Sequence, residues 1–257
     1  MFRSRLARRK GAGVAVLAAV SLALTLGGCG MDTVTPEDAR SDGKTGGDAR
    51  RVDCAKVKCI ALTFDAGPGK DTPRLLDILK EKQVPATFFL LGSKHVDRYP
   101  QVVRRIADEG HEVANHTWTH RILTDLDASE VRDELSRTQD AVEKITGRRP
   151  TLMRPPQGRT DDTVSEVSRE LGLAQVLWSI TAKDYSTTDS DLIRQRVLDQ
   201  AHGDGIILLH DIYDGTVPAV PPIIDELKRR GFTFVTVPEL LAPGKAEPGA
   251  VYRPEKD

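Results

Sequence analysis

The sequence lacks an apolar run long enough to cross a membrane, a surplus of positive charge, a Gly-rich phosphate loop and an internal repeat. Each shortage removes a class of function. The longest apolar stretch, residues 14–26, is far short of the roughly 20 residues that a stable span needs. The 37 Lys and Arg stand against 38 Asp and Glu, a net charge of −1, so bulk charge gives no pull towards nucleic acid or another polyanion. Without either common Gly-rich loop, the sequence carries no motif for cradling phosphates.

What is present begins with a leader pattern. Arg3, Arg5, Arg8, Arg9 and Lys10 precede the apolar stretch, and Leu26-Gly27-Gly28-Cys29 closes it, the order of a secretory signal. Small residues before a cysteine are similar to a bacterial lipobox. Residues 1–28 are therefore expected to be removed and Cys29 to carry lipid, with an ordinary secretory signal as the alternative. Without residues 1–28 the chain keeps 32 basic against 38 acidic residues, a net charge of −6. In an exported chain Cys54 and Cys59 are expected to form a local disulfide at the entry to the first strand, two free thiols being the alternative. Residues 29–55 are polar with no apolar period and are expected to be a flexible tether reaching about 25 Å. A single folded domain is expected over residues 56–243 and a disordered tail over 244–257. The chain is then expected on the outer face of the cell membrane, held by lipid only, and monomeric.

Over the body, strand-like and helix-like segments alternate. Short apolar runs predict strands at 59–64, 86–91, 111–115, 151–153, 174–180, 205–209 and 232–237. Between them lie helical stretches with start and stop signals: Thr72-Pro73 after Asp71, Asp127 with Glu130 three residues on, and Gly147 as a stop. The last helix is expected at 222–230. Seven βα-type units with apolar strands predict an α/β fold, a parallel sheet buried on both faces and closed as a distorted (β/α) barrel, with an open doubly wound sheet as the second choice.

The chemically capable residues fall just after the expected strands. Asp65 follows the first, His116 and His120 the third, Arg154 the fourth, Asp184 and Tyr185 the fifth, and His210 the sixth. In a parallel barrel these positions share the carboxyl-end face, where sites are built. The spacing of His116 and His120 puts both imidazoles on one side of a helical turn, within reach of one metal ion. Trp118, between them, suits either packing or stacking on a ligand.

Together the motifs T-F-D-A-G-P from Thr63, N-H-T-W-T-H from Asn115, R-P-P-Q-G from Arg154, K-D-Y from Lys183 and L-L-H-D from Leu208 resemble the polysaccharide deacetylases, the NodB-homology group or carbohydrate esterase family 4. The resemblance runs from about Lys58 to Leu241. It implies a distorted (β/α) barrel and hydrolysis of an N-acetyl group on a glycan. It implies Asp65 as general base, oriented by Arg154, and His210 as general acid, oriented by Asp184. It also implies His116 and His120 as ligands of a divalent metal, usually zinc, and an oxyanion contact from the loop holding Pro156 and Gln157. The expected partner is an N-acetylated wall polysaccharide, not nucleic acid.

The chain departs from the family pattern at Ala66, where the family has an aspartate that is the third protein ligand of the metal. Removing an anion from the set is expected to weaken the metal site. Two other readings stay beside the deacetylase: a glycan-binding protein without catalysis, and an amidase or acetyl-ester hydrolase of another kind. Gln157, Thr181 and Tyr185 also differ from the residues common in the family, and the last two are expected to alter a pocket wall.

Overall fold

Apolar runs of two to seven residues become strands, and the amphipathic stretches between them become helices. The computed structural model describes residues 1–2, 32–41 and 52–255. The expected signal core, the lipidation site at Cys29 and much of the expected tether lie outside the described residues. In chain order the elements are β1 (Thr33–Val34), α1 (Pro36–Ser41), β2 (Cys59–Asp65), α2 (Thr72–Lys82), β3 (Thr87–Leu90), α3 (Pro100–Asp108), β4 (Glu112–Asn115), α4 (Ala128–Thr146), β5 (Leu152–Met153), α5 (Asp162–Glu170), β6 (Ala174–Val176), β7 (Ile180–Thr181), α6 (Ser190–Gln200), β8 (Gly205–Leu209), α7 (Thr216–Arg229), β9 (Thr233–Val235), α8 (Val237–Leu241) and β10 (Val251–Tyr252).

Every strand pairing among the described residues is parallel, in the order β1-β10-β6-β5-β4-β3-β2-β8-β7 with β9 also on β2. The hub is β2, whose seven residues are all buried. One of its edges carries β8. The other is divided, with β9 alongside Cys59–Ala61 and β3 alongside Thr63–Asp65. The main core packs this sheet against the helices and includes the stacked rings of Phe64 and Phe88, 5.2 Å apart.

The barrel is closed by covalent chain where a ladder is missing. Between β6 and β7, Leu177 donates its N–H to Tyr252 of β10 and Ser179 donates to Ile206 of β8. Residues 177–179 thus cross from one side of the ring to the other. The distorted (β/α) barrel expected from the sequence is the fold observed.

Local signals account for most boundaries. Asp127 and Glu130 form both halves of the capping box of α4, and Gly147 ends it at φ 73°. Asp71 precedes α2 but makes no side-chain cap bond, and Pro73 in the first turn sets the start. Cys54 and Cys59 are bonded, with Cα atoms 5.5 Å apart.

Four expectations change. The strand expected at 174–180 is two strands, because residues 177–179 make the crossing just described. The helix expected at 222–230 starts at Thr216 and carries Pro221 and Pro222 inside it; the prolines mimic a first turn in the sequence. The tether expected at 29–55 holds β1 and α1, and α1 packs on α8. The tail expected to be disordered at 244–257 contains β10, which sits between β1 and β6. It covers backbone groups that an edge strand would leave open. Tyr252 is 2% exposed, accepts from the Glu247 N–H at 2.9 Å and donates to the Lys245 carbonyl at 3.3 Å.

Replacement of Tyr252 by Ala is expected to lower unfolding free energy by about 3 kcal/mol. A urea midpoint equal to that of the parent would contradict the structural role of β10.

Candidate active site

Asp65 is the last residue of β2, and its neighbours around the mouth of the barrel follow from strand order. His116 follows β4, Arg154 follows β5, His210 follows β8 and Asp184 lies three residues past β7. Successive strands of one parallel sheet thus bring all of these to its carboxyl-end face. They surround a cavity of about 770 Å³ whose walls include Asp65, Ala66, His116, His120, Gln157 and His210.

Arg154 is fully buried, so each N–H of its guanidinium needs an acceptor. Nη1 donates to Asp65 Oδ1 and to Thr63 Oγ1, both at 2.7 Å, and Nε donates to the Val176 carbonyl at 2.9 Å. Its plane lies 4.0 Å above the Phe89 ring. Thr63 and Asp65 share a face of β2 because side chains alternate along a strand. Thr63 in turn donates to the Ile207 carbonyl at 2.6 Å. Asp65 is therefore held through Oδ1, while Oδ2 stands 4.0 Å from His116 Nε2.

His116 is 3% exposed and hydrogen-bonds through Nδ1 to the Arg154 carbonyl at 2.8 Å. A carbonyl can only accept, so Nδ1 carries the proton and Nε2 presents a lone pair. Burial pushes this imidazole down to about 4, with the Asp65 charge opposing, so it is neutral at physiological pH. Burial likewise lowers His120. The two rings are 4.9 Å apart, but they do not sit on a helical turn as the spacing predicts. The loop is irregular, with Thr117 at φ 69° and His120 at φ 65°. Buried Glu134 of α4 fixes it by accepting from the N–H groups of Trp118 (3.0 Å) and Thr119 (2.7 Å) and from the Thr119 hydroxyl. Asn115 adds a bond from the Thr117 N–H at 2.8 Å. Trp118 turns away from the cavity, against Gly92 and 4.5 Å from the Arg137 guanidinium; it is a packing residue.

His210 hydrogen-bonds through Nδ1 to Asp184 Oδ1 at 2.8 Å, and its backbone N–H reaches Oδ2 at 2.7 Å. Thr216 donates to the same Oδ2 at 2.7 Å. Burial works against a charge on His210, but the bond to Asp184 and the charges of Asp184 and Asp65 outweigh it and raise the imidazole above its ordinary value. The donor nitrogen left for the cavity is Nε2.

Of the R-P-P-Q-G loop, Pro155 and Gln157 line the cavity. Pro156 is buried behind them and has no N–H to donate. Gln157 adopts φ 59°.

The donor set for a metal is short by one. Among the described residues no group of three or more His, Cys, Asp or Glu side chains is placed to hold an ion. Ala66 lies on the cavity wall at φ 62°, its N–H bonded to the Phe89 carbonyl at 3.1 Å. The two imidazoles, one with its tautomer fixed by a backbone carbonyl, fit a zinc-type ion completed by solvent. They are a weaker set than three protein ligands.

Several roles escape a sequence reading. Thr63 and Asn115 stand in the motifs but act through other residues, as do Thr216 and Glu134 outside them; His95 and Tyr213 line the cavity from outside the motifs, and Lys183 lines it from within K-D-Y. Asp211 is buried with Oδ1 unpartnered, and burial pushes it up to about 6. Its carboxylate fills the space where a side chain at Gly67 would begin, so only glycine fits there.

Comparison with known proteins bears on this geometry. The family model for polysaccharide deacetylase matches residues 53–176. A peptidoglycan-N-acetylmuramic acid deacetylase of Bacillus subtilis, PdaC, is 43% identical over 185 residues, 71% of this chain and 38% of that protein. The chain thus spans well under half the length of this relative. Among solved structures, a deacetylase called T48, with substrate, superposes with a TM-score of 0.75 at 40% identity, covering 78% of this chain and 99% of that one. A protein of Bacillus anthracis described as a CE4 family pseudoenzyme superposes with a TM-score of 0.69 at 29% identity, covering 77% of this chain and 70% of that one. Fold, motif order and these likenesses agree, and the chain belongs to the polysaccharide deacetylase family.

Proposed function

We propose that this protein is a metal-dependent hydrolase that removes N-acetyl groups from a wall polysaccharide of the peptidoglycan or chitooligosaccharide type. The observation that carries this is the pair of oppositely prepared groups facing one cavity: Asp65, held by Arg154, and His210, held by Asp184. A base and an acid fixed by separate partners are what amide hydrolysis requires.

A divalent ion, zinc by its donors, would be held by His116 and His120. When bound it would supply Lewis-acid polarisation of the acetyl carbonyl. The chain's own groups do the rest. Asp65 Oδ1 is committed to Arg154, so Oδ2 takes the proton from the attacking water. The Gln157 backbone N–H is the donor we assign to the oxygen that gains charge. His210 is fixed by Asp184 through Nδ1, so Nε2 delivers the proton that the leaving amine needs. The raised basicity of His210 favours the protonated ring that this step uses.

A second reading draws on Ala66 and on the pseudoenzyme neighbour: a glycan-binding protein that does not turn over. Intact Asp65, Arg154, Asp184 and His210 favour the hydrolase, since binding alone needs no base and acid with orienting partners. The leader pattern supports export and a lipid on Cys29, with the wall as the accessible polymer.

Acetate release from N-acetylglucosamine oligomers and wall fragments, with metal content measured before and after chelation, tests the reading. Acetate is expected, lost with chelator and restored by zinc or cobalt. Bound metal with no release from any substrate would overturn it. Asp65→Asn and His210→Ala are each expected to lower kcat by 100-fold or more, in the range of about 10²–10⁴ for acid–base groups. Ala66→Asp is expected to tighten metal binding by about 10-fold or more in calorimetry. Asp184→Asn removes the anion that raises His210, so the alkaline limb of the kcat/KM profile is expected to move to lower pH.

A further inference from the structure

One ionic side chain on the cavity wall has no part in the chemistry above. Lys183 lines the cavity, is exposed, and immediately precedes Asp184. Its ammonium makes no ion pair or hydrogen bond among the described residues. Its backbone, by contrast, is fixed. Lys183 adopts φ 48°, its N–H donates to Thr181 Oγ1 at 3.3 Å, and its carbonyl accepts from the Ser186 hydroxyl at 2.6 Å and the Ser186 N–H at 3.0 Å. An exposed, unpaired cation thus stands on a hydrogen-bonded backbone at the cavity wall.

The other charges at the cavity are compensated. Asp65 is paired with Arg154, Asp184 is consumed by His210 and Thr216, and His116 is neutral. Among the described residues, Asp65 is the one acidic side chain on the cavity lining. The rings of Tyr185 and Tyr213, which also line the cavity, lie 6.1 and 5.4 Å from the His210 ring and are both exposed; such amphipathic rings suit contact with a sugar. The chain as a whole carries no positive surplus, so attraction of an anionic glycan depends on a local charge such as this one.

We propose that Lys183 is a specificity-determining residue: it favours N-acetylated glycan bearing a carboxylate close to the reacting sugar, the lactyl carboxylate of N-acetylmuramic acid, over neutral N-acetylglucosamine oligomers. The inference rests on the deacetylase reading and names its substrate more narrowly. Carboxylates of attached peptides are a second source of the same charge, and peptide-free strands separate the two.

The test compares the full-length protein, Lys183→Gln and Lys183→Arg on three probes. They are a neutral N-acetylglucosamine hexamer, peptide-free strands of alternating N-acetylglucosamine and N-acetylmuramic acid, and the same strands with their carboxylates methyl-esterified. The ratio of kcat/KM on acidic strands to kcat/KM on the hexamer is expected to fall about three- to fivefold in Lys183→Gln, the range of an exposed ion pair. Lys183→Arg is expected to keep the ratio, and esterification of the strands is expected to reproduce the loss with the parent protein. An unchanged ratio in Lys183→Gln on the peptide-free strands would overturn the proposal. If no probe releases acetate, the deacetylase reading fails. Calorimetric binding of the same probes then still reads the role of Lys183, through the ratio of acidic to neutral affinity.

Discussion

The site depends on one buried cation. Arg154 lies where the barrel closes without a ladder, and its side chain ties the end of β2 to the carbonyls that leave β6. Its own carbonyl sets the tautomer of His116, and its N–H joins the chain to Asn115 at the end of β4. A buried guanidinium is costly unless every donor is met. That requirement fixes the position of Asp65, the aim of His116 and the seam of the barrel together.

The two carboxylates near the mouth are held in contrasting ways. Asp65 faces a permanent cation and has one oxygen free. Asp184 faces an imidazole and a hydroxyl and has both oxygens engaged. The first arrangement leaves an anion with spare capacity to accept a proton. The second has none to spare and instead stabilises charge on its neighbour. Neither hydrogen-bonded pair involves Ala66.

How far the sequence could be read follows from which interactions are local. Helix α4 was legible because Asp127, Glu130 and Gly147 speak through neighbouring backbone. The site motifs were legible because each sits directly after an apolar run. Segments fixed by distant partners were not. Residues 174–180 look like one strand until β8 and β10 pull them to opposite sides, and Val251–Tyr252 is too short to show a period. His116 and His120 come together as expected, but through Glu134 and Asn115 and not through helical spacing. Pro156 shares a loop with Gln157 in the sequence, but its ring nitrogen has nothing to donate. Thr63 and Thr216 carry no signal of their own, because a threonine beside a charged pair is visible only in three dimensions.

The pinning of β1 has a geometric consequence. Because β1 runs parallel to the rest of the sheet, Thr33 enters at the end opposite the mouth of the cavity. Any surface that engaged that end of the sheet would leave the opening unobstructed on its far side.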